Sequence, residues 1–270
     1  TESTLMCGVA GVLAGSRAEP AGLDELKRMI AMLGHRGPDG YGFYRDDRIG
    51  LAHARLSIVG LAGGFQPIHN EDRTLWISFN GEIFNHVELR RELEARGHRF
   101  HTKSDTEVIV HGWEQWGADC VQRFRGMFAF ALWDRNRQTL FMARDRLGVK
   151  PLHWAQLPNG AVLFGSELKT ITVHPDFPRE MDDRAIEDYF AFGYIPDPRT
   201  IYRQAHKLAP AHTLLWKVGE PAPRIARYWD VSFEPDGKLS LAEACEQLRE
   251  KLTESVKLRM ISEVPLGAFL

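Results

Sequence analysis

The 270-residue chain predicts an α+β fold, a layered sandwich of two β-sheets packed together with helices outside. Three observations carry this expectation. Short apolar strand-like runs fill much of the first 80 residues, two amphipathic helical segments follow, and a second series of strand-like runs comes after them. The strand segments are too apolar to face water on both sides, so two sheets must cover each other. Hydrophobic residues at 44% and charged residues at 26% are ordinary globular values. At roughly 100 to 200 residues per domain, the length suits one large domain or two.

In order along the chain, Cys7-Gly-Val-Ala-Gly-Val-Leu13 reads as a buried strand with Cys7 at its start. Leu23, Leu26, Ile30 and Leu33 repeat at helical spacing between Pro20 and Gly34, giving a helix over 23–33 and then a loop, His35-Arg-Gly-Pro-Asp39. Strands are expected at Ile49 to His53, Leu56 to Val59 and Leu75 to Phe79, with a turn at Asn70-Glu-Asp-Arg73. Val87 to Arg96, with Leu89 and Leu93 on one side, and Thr106 to Trp116, with Val108, Ile109 and Trp113 inward, read as helices. Phe128 to Asp134 and Thr139 to Arg144 form a hairpin, and Leu152 to Leu157 pairs with Ala161 to Phe164 across Pro158-Asn-Gly160.

Prolines 196, 198, 210, 221 and 223 mark the following stretch as a connection. Beyond it Leu241, Cys245, Leu248, Leu252 and Val256 line a helix after Ser240, and 262–270 ends as an apolar strand. The expected organisation is a first domain over 7–190, a linker over 191–235, and a second domain that starts at 236 and is cut off at Leu270.

The net charge of −2 supplies no field for phosphate backbones or anionic lipid, so neither nucleic acid nor a membrane is an expected partner. No run of about 18 apolar residues exists to span a bilayer. Cys7, Cys120 and Cys245 are odd in number and lack a C-x-x-C spacing, which argues against a disulfide framework or structural zinc and fits a reducing cytoplasm. His98-x-x-His101 reads as a strand edge rather than a metal pair, since no further ligands stand at a matching spacing; no metal is expected. Trp113, Trp116 and Trp133 are expected in the core. A lone cysteine such as Cys7 is ordinarily core filler, Arg55 and Asp105 would be surface charges, and Asn80-Gly81 a hairpin turn.

Six short motifs in a fixed order change that reading: Cys7 after Met6, His35-Arg-Gly-Pro-Asp39, His53-Ala-Arg-Leu-Ser-Ile-Val59, Asn80-Gly-Glu-Ile-Phe-Asn85, Ser104-Asp-Thr-Glu-Val108 and Arg144-Asp-Arg-Leu-Gly-Val-Lys-Pro151. Together they resemble the glutaminase half of glutamine-dependent asparagine synthetases, a branch of the class II glutamine amidotransferases within the N-terminal-nucleophile hydrolases. The resemblance covers about residues 6–270. It implies a four-layer αββα sandwich of two antiparallel sheets, followed by the start of an α/β ATP-dependent synthetase domain.

The same resemblance implies Cys7 as nucleophile and the Asn80 side chain with the Gly81 N–H as oxyanion donors. Arg55 would hold the α-carboxylate of glutamine, Glu82 and Asp105 its α-ammonium, and Leu56, Ser57, Ile58 and Val59 would supply backbone contacts. Leu270 matches an ATP contact of the family. Arg144-Asp-Arg146 is read first as a structural ion-pair knot and second as a lining of the path toward a second active site. No cofactor is implied for the glutaminase step, whereas ATP and Mg are implied for the synthetase half, along with aspartate or another carboxylate as acceptor. Homodimers are common in that family, and nothing in this sequence compels one.

Thr1 to Met6 precede Cys7, whereas the family exposes the cysteine as the chain start. An amide at that nitrogen has no lone pair to act as base. The expectation is a masked nucleophile that removal of the leader through Met6 switches on.

Overall fold

The computed structural model describes residues 6–15, 20–56, 65–234, 237 and 239–260. The elements run β1 (Gly8–Leu13), α1 (Leu23–Ala31), β2 (Gly40–Arg45), β3 (Ile49–Arg55), β4 (Ile68–His69), β5 (Leu75–Ile83), α2 (His86–Ala95), α3 (Thr106–Trp116), α4 (Cys120–Arg123), β6 (Gly126–Asp134), β7 (Thr139–Arg144), β8 (His153–Gln156), β9 (Val162–Gly165), α5 (Leu168–Thr172), α6 (Asp183–Phe192), β10 (Ala205–Lys207), β11 (His212–Lys217), β12 (Arg224–Arg227) and α7 (Leu241–Arg259). The strands form two six-stranded antiparallel sheets, ordered β10-β8-β9-β1-β3-β2 and β12-β11-β7-β6-β5-β4.

Period-2 alternation builds the layers. In β6, Ala129, Ala131 and Trp133 face the other sheet and join Val9, Leu13, Leu51 and Phe164 from it. The alternate residues Phe128, Phe130 and Leu132 turn outward against α2 and α3, which contribute Leu89, Leu93, Ile109 and Trp113. In β1, Ala10 and Val12 likewise face outward onto Leu26, Met29 and Ile30 of α1 and Ile171 of α5. Three apolar layers between four layers of structure give the expected αββα sandwich.

Several elements sit where the sequence placed them, including α3 at both ends, β7 at both ends, and the β8–β9 pair. Trp133 and Trp113 are buried as expected, each with its indole N–H on a carboxylate, Asp46 and Asp134.

Other expectations are corrected. Asn80-Gly81 is no turn: β5 continues through both to Ile83 and pairs them with Ala129 and Phe128 of β6. β3 runs two residues past His53 to Arg55, and Leu56 lies outside any strand. The expected strand Leu56 to Val59 otherwise falls on residues outside those described, as does the terminal strand over 262–270. His98 and His101 lie in a loop rather than on a strand edge.

The stretch expected as a linker supplies three strands to the sandwich. β10 pairs with β8, β11 with β7, and β12 with β11, while Leu208, Leu214 and Trp216 are buried between the sheets. Its prolines all lie outside these strands, two before β10 and the rest in the connections that follow, where a missing N–H costs no ladder bond. Arg144 ties the same stretch down, donating to the Leu208 carbonyl and to Asp197. By contrast α7 keeps Leu241, Leu248, Leu252 and Val256 exposed and touches the sandwich through an Arg125–Glu254 ion pair and Arg259 over the Phe84 ring.

A chain ended after residue 192 should therefore lose cooperative folding, because it strips a neighbour from both β8 and β7 and removes the buried Leu208, Leu214 and Trp216, the two leucines alone worth about 1.5 to 3 kcal/mol each. Thermal melting followed by circular dichroism tests this, and a sharp transition near that of the 270-residue chain would disprove it.

Candidate active site

Strand direction gathers the site. Cys7 precedes β1 on the face that carries Val9, and Asn80 of β5 lies on the face opposite Phe79, toward the other sheet; both open into one pocket at the end of the inter-sheet layer. Arg55, Leu56, Gly81, Glu82 and Asp105 line the same pocket. Ser57, Ile58 and Val59, and also Leu270, lie outside the described residues. Seven residues singled out in the sequence thus converge from β1, β3, β5 and the start of α3.

The Cys7 thiol is held by the chain beyond β3: the Leu56 N–H donates to Sγ at 3.3 Å and the Leu56 carbonyl lies 3.5 Å from it. Burial pushes the thiol pKa up and the Asp105 charge adds to this, while the Leu56 N–H, Lys150 and Arg55 oppose it. The resting thiol is protonated at neutral pH and needs a base to become a nucleophile. The backbone at Cys7 is clamped by Arg36, whose Nε donates to the Cys7 carbonyl at 3.1 Å and whose Nη1 pairs with Glu167 at 3.0 Å. Met6 also lines the pocket; its N–H donates to the Arg36 carbonyl, and Lys150 Nζ lies 3.0 Å from its sulfur.

Across from the thiol, the Asn80 side-chain nitrogen is buried and has no hydrogen-bond partner among the described residues. A buried amide donor left unpaired is costly and marks a place where an acceptor belongs. Gly81 sits beside it with φ +153°, and a Cβ there would lie 2.1 Å from the Met127 carbonyl oxygen, so only glycine lets β5 and β6 stay in register.

The pocket's other side carries charge. Asp105 sits immediately before α3 and accepts from the Ile83 N–H at 2.8 Å. Burial raises its pKa despite that bond, and Glu82 is raised by burial and by Asp105. Two carboxylates with raised pKa values suit a cationic ligand group. Arg55 is buried with its guanidinium 4.3 Å from the centroid of the Phe65 ring, and its planar fork matches a carboxylate. The arrangement can accept a zwitterion on one side and stabilise an oxyanion beside the thiol on the other.

The structure adds residues that the sequence reading quoted or passed over without a role. His53 directs Nε2 at the Phe79 carbonyl, 3.1 Å away, and burial lowers its pKa to about 4, so the ring is neutral and braces β5. Gln66 accepts from the Phe79 N–H at 2.7 Å and reaches Thr106, joining β5 to α3. No motif contained Gln66. Lys150, in contrast, belongs to the Arg144 motif and lines the pocket, with burial lowering its pKa.

Within that motif Arg144 donates to the Lys150, Leu208 and Gly148 carbonyls, and Asp145 accepts from the N–H groups of Phe128 and Lys150. Arg146 donates to the Phe124 and Gln122 carbonyls. Among the described residues the motif is knotted by bonds to backbone groups rather than by the ion pairing expected within it, and its one ion pair runs from Arg144 to Asp197.

A raised carboxylate pKa means that the folded state prefers the neutral form, so this contribution to stability is present below the unfolded value and is lost as pH rises through the folded one. Replacing Asp105→Asn keeps an acceptor for the Ile83 N–H and removes the charge. The variant should be more stable than the parent at neutral pH, with the gap closing below the ordinary aspartate range; urea denaturation across pH checks it, and a pH-independent difference would refute it.

Among the described residues no helix is long and apolar enough to cross a membrane, and the three cysteines are free. A family profile described as a glutamine amidotransferase domain matches residues 6–229. Asparagine synthetase (glutamine-hydrolysing) 1 of Bacillus subtilis (strain 168) is 37% identical over 271 residues, covering 98% of this chain and 42% of that relative. Amidase chyE of Penicillium rubens (strain ATCC 28089 / DSM 1075 / NRRL 1951 / Wisconsin 54-1255) is 34% identical over 281 residues, 98% of this chain and 40% of the relative. The chain thus spans about two-fifths of the length of these curated relatives. Among solved structures, the allosteric regulatory enzyme of purine biosynthesis aligns with a TM-score of 0.60 at 19% identity, covering 83% of this chain and 49% of that one, a likeness of fold. With the profile extending across both sheets from Met6 to the residue after Tyr228, the chain belongs to the glutamine amidotransferase domain family.

Proposed function

We propose that the pocket hydrolyses the side-chain amide of glutamine to glutamate and ammonia, with Cys7 as nucleophile. The observation that carries this is the buried Asn80 side-chain donor, without a partner among the described residues, in the lining of the pocket that also holds the Cys7 thiol. In a chain that begins at Cys7, the free α-amine, with an ordinary pKa near 8, takes the thiol proton. The thiolate attacks the carboxamide carbon, and the oxyanion that forms accepts from the Asn80 amide and the Gly81 N–H. The proton passes to the leaving nitrogen, the C–N bond breaks, and ammonia departs from a thioester. Water, deprotonated by the same amine, then releases glutamate and restores the thiol.

Substrate selection follows from charge. Arg55 pairs with the α-carboxylate and Glu82 and Asp105 accept from the α-ammonium, with Leu56 and its neighbours 57–59 lending backbone contacts. A glutamine inside a protein has neither charge and is refused. While Met6 is attached, the nitrogen of Cys7 is an amide whose lone pair is delocalised into the Met6 carbonyl and cannot act as base, and Met6 itself lines the pocket. Exposure of the Cys7 amine, by loss of Met6 and whatever precedes it, is therefore the activating step.

The ammonia would serve an ATP- and Mg-dependent synthetase half that amidates aspartate to asparagine; similarity to glutamine-hydrolysing asparagine synthetases supports this assignment. A sister reading with another carboxylate acceptor is supported by the comparable similarity to an amidase.

Intact mass before and after exposure to a diazo-ketone glutamine analogue tests the proposal. A chain starting at Cys7 should gain one adduct, blocked by glutamine, and a chain starting at Thr1 none; equal labelling of both would reject the masking step. Asn80→Ala in the processed chain should lower kcat about 100-fold or more at similar KM. Ammonia release surviving in Cys7→Ala would overturn the nucleophile.

A further inference from the structure

The loop leading into α3 and the outer part of that helix hold a second cluster of chemistry-bearing groups, on residues other than those lining the thiol pocket. His98 from the loop and His111 and Glu114 from α3 bring one ligand atom each within 4.8 Å of one another. Glu114 Oε2 lies 2.7 Å from His111 Nδ1 and 3.1 Å from His98 Nδ1. His111 and Glu114 stand three residues apart on α3 and so share a face.

We propose that His98 Nδ1, His111 Nδ1 and Glu114 Oε2 form a binding site for one divalent transition-metal ion of the zinc class. Two imidazoles and a carboxylate are a donor set that such ions favour. Tetrahedral bonds of about 2.0 to 2.1 Å separate neighbouring donor atoms by roughly 3.4 Å. The Glu114–His98 separation is already within a few tenths of an ångström of that, Glu114 has to draw back from His111 by somewhat more, and the two imidazole donors lie within 4.8 Å of each other.

The outer shell is the second, independent observation. Metal-bound imidazoles usually present their other nitrogen to an oxygen acceptor that fixes ring and tautomer. His98 Nε2 lies 3.1 Å from Gln115 Oε1, and Glu114 Oε1 accepts from Asn70 Nδ2 at 2.8 Å. The His111 side chain is fully buried, and its Nε2 makes no hydrogen bond among the described residues, with Glu107 Oε1 3.5 Å away. Metal on Nδ1 puts the ring proton on Nε2, directed at that carboxylate. The ligand atoms of His98 and Glu114 belong to side chains 15% and 25% exposed, which leaves a route for the ion and a position for a completing water.

A proton is the competing occupant. Burial disfavours a charged His111 ring, but Glu107 and Glu114 outweigh it and push the pKa up to about 9. An ion must displace that proton. Glu107 also accepts from the N–H groups of His101 and Thr102, so a bound ion would tie the loop over 98–104 to α3 just before Asp105. Its role is to brace the loop rather than to react.

The experiment uses the 270-residue protein stripped of metal, titrated with Zn²⁺ by calorimetry and with Co²⁺ by visible absorption. One ion per chain is expected, with Co²⁺ giving the bands of a low-coordinate site. His98→Ala and Glu114→Gln should each weaken binding by more than about 100-fold, and Gln115→Ala, at an exposed position, by about 10- to 100-fold. His174→Ala, paired with Glu25 elsewhere, should leave it unchanged. Circular dichroism establishes that each variant is folded. Absence of stoichiometric binding by the parent, or binding that survives in His98→Ala and Glu114→Gln, would overturn the site in favour of a proton-bridged cluster.

Discussion

The apolar layer between the two sheets is the constraint on which everything else depends. Val9, Leu13 and Leu51 from one sheet meet Ala129, Ala131 and Trp133 from the other, and this contact sets β1 and β3 against β5 and β6. Because side chains alternate along a strand, the face that buries Val9 also carries Cys7, and the face opposite Phe79 carries Asn80. The site is the polar end of a hydrophobic interface. Slipping any of these strands by one residue would turn a functional side chain into the helical layers instead.

That position determines the electrostatics. Arg55, Asp105, Glu82 and Lys150 are grouped at the edge of a dry layer, where burial raises the carboxylates and lowers the lysine. Such a site costs stability in the free protein and regains it when a ligand of complementary charge arrives. The Asn80 donor, without a partner among the described residues, fits the same logic in the proposed reaction, since a preorganised donor does no reorganising when negative charge develops. Around the pocket the structure spends its hydrogen bonds on rigidity: Arg36 clamps the Cys7 carbonyl, Gln66 joins β5 to α3, and Asp145 with Arg144 anchors the loop that ends in Lys150.

How much of this could be read beforehand differed by element, for identifiable reasons. α3 was legible because Val108, Ile109 and Trp113 repeat at helical spacing, and the β6–β7 hairpin because two apolar runs flank a polar turn. The strands β10 to β12 were hidden: the first has three residues, the last is exposed throughout, and prolines surround them, so no local pattern exceeds that of a loop. Asn80-Gly81 resembles a turn in isolation, and only pairing with Ala129 and Phe128 makes it strand. His98 offered no ligand partner by spacing, because His111 and Glu114 reach it through the docking of a loop on α3.

By itself, then, the sequence determined the layered fold, and the resemblance carried by its ordered motifs named the thiol, the amide donor and the charged residues as candidates for one site. Periodicity and residue type are local properties and survive in one dimension. The tertiary structure alone decided that the proline-rich stretch closes both sheets, that the Asn80 donor is left without a partner among the described residues, that Met6 and Lys150 share the pocket with the thiol, and that two imidazoles and a carboxylate distant in sequence meet beside α3. Each of those depends on which groups burial brings together and which it deprives of water, and neither is written in the spacing of residues along the chain.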